Sequence, residues 1–235
     1  MLNKRITFGG EIIPAWIASP PKYIRPKRKM TAVQIPGSNR EAIQMEDAFE
    51  PYDQPYVLFF GDGTENNIQE TLDEICRNLY QKGWQVLMDD YDTDHFRLAY
   101  FKGDFKVENR FTRAGKFEIE FRCRPERFLL SGNIEVPVSS GDILLNPTAY
   151  EAKPLIHITG TGDGTLTVAG TTMEFEDISD YLNIDCDKMD VYRLPSENRN
   201  SLMTGDFPRL ASGENIISYT GGIETVTITP RFWII

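Results

Sequence analysis

The amino-acid sequence predicts a mainly β protein with one principal helix, and three observations carry that expectation. Aromatic residues make up 11% of the chain, with 14 Phe and 10 Tyr, and such side chains suit a pleated, half-buried surface. Eighteen Gly and 14 Pro supply turn chemistry at short intervals. Only one segment has helical periodicity, whereas short alternating runs recur along the chain. At 235 residues, 40% hydrophobic and 26% charged, the composition is globular and the length accommodates two ordinary domains.

Taken in order, residues 6–11 read as a short strand. Over 13–40, Pro14, Pro20, Pro21, Pro26 and Pro36 interrupt any helix and remove ladder donors, which predicts irregular extended chain. The sequence Ile35-Pro36-Gly37-Ser38-Asn39-Arg40 carries strong turn chemistry. The helix follows: Ile68, Leu72, Ile75 and Leu79 fall at i, i+4, i+7 and i+11 on one face. Asn66 or Asn67 caps its start and Gly83 ends it, with Cys76 and Tyr80 at its margin. A strand over 84–88, a polar turn over 89–94 and a strand over 95–101 come next. A turn at 102–104 then leads into a strand over 105–111. Residues 116–124 alternate, with Phe117, Ile119, Phe121 and Cys123 opposite Glu118, Glu120, Arg122 and Arg124, as a half-buried antiparallel strand does. Pro125 ends it. The pattern loosens over 126–134, where the domain boundary is placed. Candidate strands at 134–138, 154–159, 165–168, 181–186, 190–193, 214–219 and 224–230 have the spacing of a β-sandwich.

Composition also excludes function classes. No stretch approaches the roughly 18 apolar residues of a membrane span. The first ten residues lack an apolar run behind Lys4 and Arg5, which predicts a chain without a secretory signal, made in a cytoplasm. Cys76, Cys123 and Cys186 are odd in number and widely spaced, which argues against a disulfide framework or zinc knuckle and for buried thiols. A net charge of −10 makes nucleic acid a poor partner. The charge is unevenly spread. Residues 1–40 hold Lys4, Arg5, Lys22, Arg25, Lys27, Arg28, Lys29 and Arg40 against Glu11 alone, so +7 precedes a body of −17. A basic leading arm can dock on the acidic body of another copy. Lys27, Arg28 and Lys29 are the candidate interface residues. The competing reading is a solvated basic loop.

The constellations that suggest chemistry fail on residue type. Asp90, Asp92 and Asp94 take positions one, three and five of a calcium loop, but His95 stands where Gly is needed and Phe101 where Glu is needed. A polar hairpin turn is expected there. Gly160-Thr161-Gly162-Asp163-Gly164-Thr165 lacks the Lys of a phosphate loop and leads into another strand, which predicts a hairpin turn. His95 and His157 are the only histidines; neither has metal-ligand spacing, and no Gly-x-Ser-x-Gly elbow is present. No pair among the 35 acids stands out for glycoside hydrolysis. No catalytic, cofactor or metal residue is assigned, and the expectation is a protein that is not an enzyme.

Several segments in order resemble the distal tail protein of long-tailed phages and prophages of Gram-positive hosts. They are the N-terminal strand with Arg25 and the Ile35-Pro36-Gly37 turn, the helix ending at Leu79 before Gly83-Trp84, and Phe117-x-Ile119-x-Phe121-x-Cys123-x-Pro125. Asn146-Pro147 with Ala149, Ala152-Lys153-Pro154, Ile156-x-Ile158-x-Gly160 and Ile184-Asp185-Cys186 follow. The run from Gly205-Asp206-Phe207-Pro208 through Leu210 and Gly213 to Asn215 comes next, and Val226-x-Ile228-x-Pro230-Arg231-Phe232-Trp233 closes the series. The resemblance covers nearly the whole chain. Its departure is Ser38-Asn39-Arg40 after Gly37, where the family more often has a basic residue and then Asn-Gly.

The resemblance implies an N-terminal belt domain over 1–131, a barrel-like sheet with a helix and a hairpin that makes a hexameric ring. The terminal strand over 224–235 is a candidate to return to it. It implies a galectin-like β-sandwich over 132–235, at the tip of a virion tail. Implied partners are further copies of the chain, the major tail tube protein, the tape-measure protein, the tail-associated hub or lysin protein and, in some phages, a receptor-binding protein. No nucleic acid, membrane or cofactor is expected. Two other functions remain open: a carbohydrate-binding module, which needs an exposed aromatic platform where only Trp233 lies near the sandwich, and a tail-associated hydrolase.

Overall fold

In the computed structural model, which describes residues 4–61, 68–111 and 114–235, the chain divides into two units. One comprises Met1–Arg127 with Ile235 and the other Phe128–Ile234.

The first unit is built from β1 (Ile6–Phe8), β2 (Glu11–Ile12), β3 (Trp16–Ile17), β4 (Arg28–Gln34), β5 (Glu41–Phe49) and β6 (Tyr52–Phe60), then α1 (Ile68–Leu79), then β7 (Gln85–Asp89), β8 (Asp92–Phe101), β9 (Val107–Phe111) and β10 (Ala114–Leu129). Its main sheet runs β2-β1-β7-β8-β10-β6-β3, with β9 on β10. The Ile17 amide, at the β3 end, donates to the Lys4 carbonyl just before β1 at 2.8 Å, so the sheet curls round on itself. Strict alternation makes the interior. Tyr52, Gln54, Tyr56, Leu58 and Phe60 of β6 face Phe117, Ile119, Phe121 and Cys123 of β10, all buried. Phe8 and Phe121 pack with ring centroids 4.9 Å apart. Ile75 and Leu79 of α1 are fully buried in this core, with Leu72 packed against it, as their spacing predicts. The expected caps Asn66 and Asn67 lie outside the described residues.

Three expectations for this unit are corrected. Residues 28–34 are not irregular chain but a strand paired with 41–49; the prolines that suggested irregularity flank the strand instead of interrupting it. The polar turn is only Asp90-Tyr91, because Asp89 and Asp92 already pair. The Asp89 carboxylate accepts from the amides of Tyr91 and Asp92 at 3.0 and 3.2 Å, which closes the turn early. Pro125 does not end its strand, since β10 continues to Leu129.

The second unit contains β11 (Val136–Val138), β12 (Ile143–Asn146), β13 (Leu155–Val168), β14 (Thr171–Asp185), β15 (Asp190–Tyr192), β16 (Met203–Gly205), β17 (Gly213–Thr229) and β18 (Trp233–Ile234). Its sheet runs β11-β17-β13-β14-β15, with β12 on β17 and β16 on β14. The glycine run 160–164 is not a hairpin turn. It lies inside the continuous strand β13, where the pairing register shifts. Here β13 and β17 pass so close that a Cβ on Gly222 would enter the van der Waals shell of the Thr161 carbonyl oxygen. The glycines serve a backbone crossing, not a reversal. Beside them on β14, Asp177 and Asp180 have φ of 52° and 74°. Three long strands thus bend at one level, and their halves enclose a single core that includes Ile156, Ile158, Leu166, Phe175, Leu182, Ile217 and Ile228. The expected strands 154–159 and 165–168 are the two arms of β13, and 214–219 and 224–230 are the two arms of β17.

At the chain end, residues up to Ile234 belong to the second unit, while Ile235 joins Met1–Arg127 in the first. Residues 224–229 run in β17, and within the second unit the Leu129 amide donates to the Phe232 carbonyl at 2.9 Å. Arg231 grips the buried Asp185 with two bonds of 2.7 and 3.2 Å. Burial pushes the Asp185 carboxyl up, but Arg231 outweighs it and holds the group below the usual carboxylate range. Burial also pushes the Cys123 and Cys186 thiols up to about 12, which makes them unreactive.

Candidate assembly surface

The hairpin β4–β5 is a separate two-stranded sheet. Its turn follows from Pro36 and Gly37. The Ser38 amide donates to the Ile35 carbonyl at 3.1 Å, and Gly37 has φ of 76°, the positive value that the third position of a type II turn requires. Residues 27–37 and 39–47 are all exposed. Cross-strand pairing sets Met30 against Met45 and Ala32 against Ile43, so these four lie on one face. Met30, Ile43 and Met45 are 61%, 57% and 63% exposed. A two-stranded ribbon alone is marginal in water, and one with an apolar face uncovered is a surface for a partner.

The ribbon springs from a fastened root. Gln54, fully buried in β6, accepts from the Ile24 amide at 3.2 Å and donates to the Lys22 carbonyl at 3.1 Å. The Tyr23 hydroxyl donates to Asp89 at 2.6 Å, and the Tyr56 hydroxyl donates to the other Asp89 oxygen at 2.8 Å. Arg97, 1% exposed, lies with its guanidinium 4.8 Å over the Tyr23 ring, 2.9 Å from Asp92 and 3.7 Å from Asp89. Burial raises the Tyr23 phenol, and the adjacent Asp89 raises it further. Asp92 also holds His95 at 2.7 Å and Arg127 at 3.4 Å. Burial alone would raise its carboxyl, but these donors hold it below the usual range. Asp92, one of the three acids that suggested calcium, is therefore engaged by side chains of the chain itself, His95, Arg97 and Arg127. Among the described residues no group of three His, Cys, Asp or Glu is placed to hold a metal.

Lys27, Arg28 and Lys29 lie at the root of the ribbon, all exposed. Arg28 pairs with Asp47 at 3.5 Å and lies 5.4 Å over the Phe49 ring. Lys27 and Lys29 form no ion pair among the described residues. The second strand and the residue after it supply what the sequence pattern did not place beside them: Glu41, Glu46, Asp47 and Glu50 balance Lys27, Arg28, Lys29 and Arg40. Over 27–50 the ribbon is neutral, so its charges act locally while its apolar face offers the larger attraction. Sequence reasoning missed Tyr23, Gln54 and Arg97, whose roles depend on contacts distant in sequence: Tyr23 with Asp89 and Arg97, and Gln54 with Lys22 and Ile24. It also missed the Met30–Met45 face, whose signal was period-two alternation on both sides of Pro36-Gly37.

The remaining sequence candidates are dispersed. His157 bonds Asn183 at 2.9 Å on the second unit's sheet. Trp233 stacks on Tyr150 at 4.4 Å, and its indole N–H donates to the Glu151 carbonyl. No contact joins His157 and Trp233 among the described residues.

No protein-family model matches the chain, and no curated protein matches it. Solved structures do. The crystal structure of SPP1 Dit, described as a paradigm of the hub adsorption apparatus in phages infecting Gram-positive bacteria, superposes with a TM-score of 0.74. The match covers 99% of both chains at 11% identity. A chain of the phage P2 baseplate in its activated, calcium-bound conformation matches with a TM-score of 0.52 over 96% of this chain and 97% of that one, at 10% identity. From end to end, the chain has the fold of a phage distal tail protein.

Proposed function

We propose that this chain is a structural hub of a phage or prophage tail, whose copies close into a hexameric ring between the tail tube and the tip. The observation that carries this reading is the correspondence of both units, over 99% of each chain, with a hub of the adsorption apparatus. The exposed ribbon supports it, because a neutral arm with an apolar face and a rigid root suits insertion against a neighbour. In this reading the tail tube and tape-measure proteins meet one side of the ring, and the tail-associated hub or lysin protein meets the other. A receptor-binding protein attaches at the periphery where one is present. The function requires no bond to be made or broken.

Lys27, Arg28 and Lys29 are proposed to reach acids on the adjacent copy. Exposed pairs of this kind contribute little each, about 0–1 kcal/mol, but they set register and on-rate. The experiment is light-scattering mass of the wild type and of the triple variant Lys27→Glu, Arg28→Glu, Lys29→Glu across concentration. The wild type is expected at six times the 26.9 kDa chain mass, with assembly of the variant shifted to higher concentration. Unchanged assembly of the variant would remove these three residues from the interface. A wild type that stays a single chain throughout would remove the hub.

A further inference from the structure

Around the Val86–Leu98 pair, strands β7 and β8 carry apolar side chains on both faces. Inward, Leu87, Ala99 and Phe101 belong to the core. Outward, Trp84, Val86 and Tyr100 are 40%, 38% and 40% exposed, with half-buried Met88 and Leu98 beside them. Val86 pairs directly with Leu98, and Trp84 meets Tyr100 edge-on at 5.0 Å. Arg124 of β10 lies 5.1 Å over the Trp84 ring, with Arg122 next in alternation on the same strand. A sheet with one wet face usually alternates apolar and polar. This one instead presents contiguous Trp, Tyr and Arg, the residue types that dominate protein contacts.

We propose that this outward patch receives the β4–β5 ribbon of the adjacent copy of the chain. The inference rests on the hub reading and adds the surface that accepts the arm. Both members are exposed in the same subunit, so they do not cover each other within one chain. From Trp84 to Met88 is four strand residues, and so is Met30 to Gln34, about 14 Å in each case. The apolar pairs Met30–Met45 and Ala32–Ile43 then lie over Val86, Leu98 and Tyr100. Glu41, on the same ribbon face as Ile43 and paired with Gln34, comes to Arg124, beside Arg122, which Asp53 of the same subunit holds at 3.1 Å. Charge and apolarity match at once.

Two unlike patches on one chain make a head-to-tail contact, the kind that closes rings. One such contact covers only a few hundred Å², well below the roughly 1,600 Å² of a standard stable interface. Isolated pairs are therefore weak, and assembly proceeds to the closed ring without a populated dimer.

The test is charge exchange across the contact, read by native mass against concentration. Ile43→Glu lies on the exposed ribbon and Val86→Lys on the exposed sheet face, so both chains fold, as circular dichroism checks. Each single variant is expected to need at least roughly tenfold more protein for half assembly, and the double variant to recover most of that loss. Tyr100→Lys with Ile43→Glu is the second pair. If Val86→Lys and Tyr100→Lys both assemble like the wild type, or neither double variant improves on its single variants, the patch is not the acceptor while the hub reading stands. A wild type that never forms the ring overturns both.

Discussion

Removing the Arg97 side chain should loosen the root from which the ribbon springs. Arg97→Met keeps much of the volume but withdraws the only cation that contacts Asp89 among the described residues, and the Asp89 side chain is fully buried. Asp89 would retain the Tyr23 and Tyr56 hydroxyls and the Tyr91 and Asp92 amides. Asp92 would retain His95 and Arg127. Breaking a buried pair by deleting one partner costs about 3–5 kcal/mol, and the surviving donors place this case at the low end, about 3 kcal/mol. With a urea dependence of about 2 kcal/mol per molar, the first unit's midpoint falls by about 1.5 M. Asp89→Asn in the Arg97→Met background removes the stranded charge and should recover about 1–2 kcal/mol, a coupling that a double-mutant cycle isolates. Urea unfolding followed by tryptophan fluorescence, with Trp16 and Trp84 in this unit, measures both. A midpoint shift under 0.3 M, or additive effects of the two substitutions, would refute the view that Arg97 holds the root.

Other outcomes follow from the same geometry. Asp92 and Asp185 have carboxyls held below the ordinary range, so the stability they add is fully present above about pH 4, their unfolded value, and is lost as pH falls through their lower folded values. Urea midpoints should be steady above pH 5 and drop below pH 4, and Asp185→Asn should flatten that drop; an equal drop in the variant would contradict the assignment. Gly222→Ala should unfold the second unit or cost several kcal/mol, because β13 must move to admit the methyl. Gly141→Ala, where a Cβ meets nothing within 4 Å but φ is 99°, should cost less, about 1–3 kcal/mol of backbone strain.

Much of the fold was legible because periodicity is a local signal. The Leu72, Ile75 and Leu79 stripe and the alternation through Phe117–Cys123 each report a buried face directly, and both faces are where the pattern puts them. The bent strands were not legible. Gly160–Gly164 and Gly221-Gly222 have the composition of turns, and only the partner strand shows that the glycines admit a close backbone crossing. The ribbon was half legible: Pro36-Gly37 announced the turn, but prolines at 20, 21 and 26 obscured the strand before it. Its neutrality was hidden because the acids that balance Lys27, Arg28 and Lys29 come after the turn. Arg97 was invisible for another reason. One arginine in the run Asp92-Thr93-Asp94-His95-Phe96-Arg97 carries no mark of burial until Tyr23, Tyr56 and Asp89 surround it.

The most direct trial of the account is a negatively stained electron micrograph of the purified chain at high concentration. Closed six-fold rings of uniform diameter are the expected image. A field of single particles, or open filaments that never close, would contradict a subunit made to complete a circle.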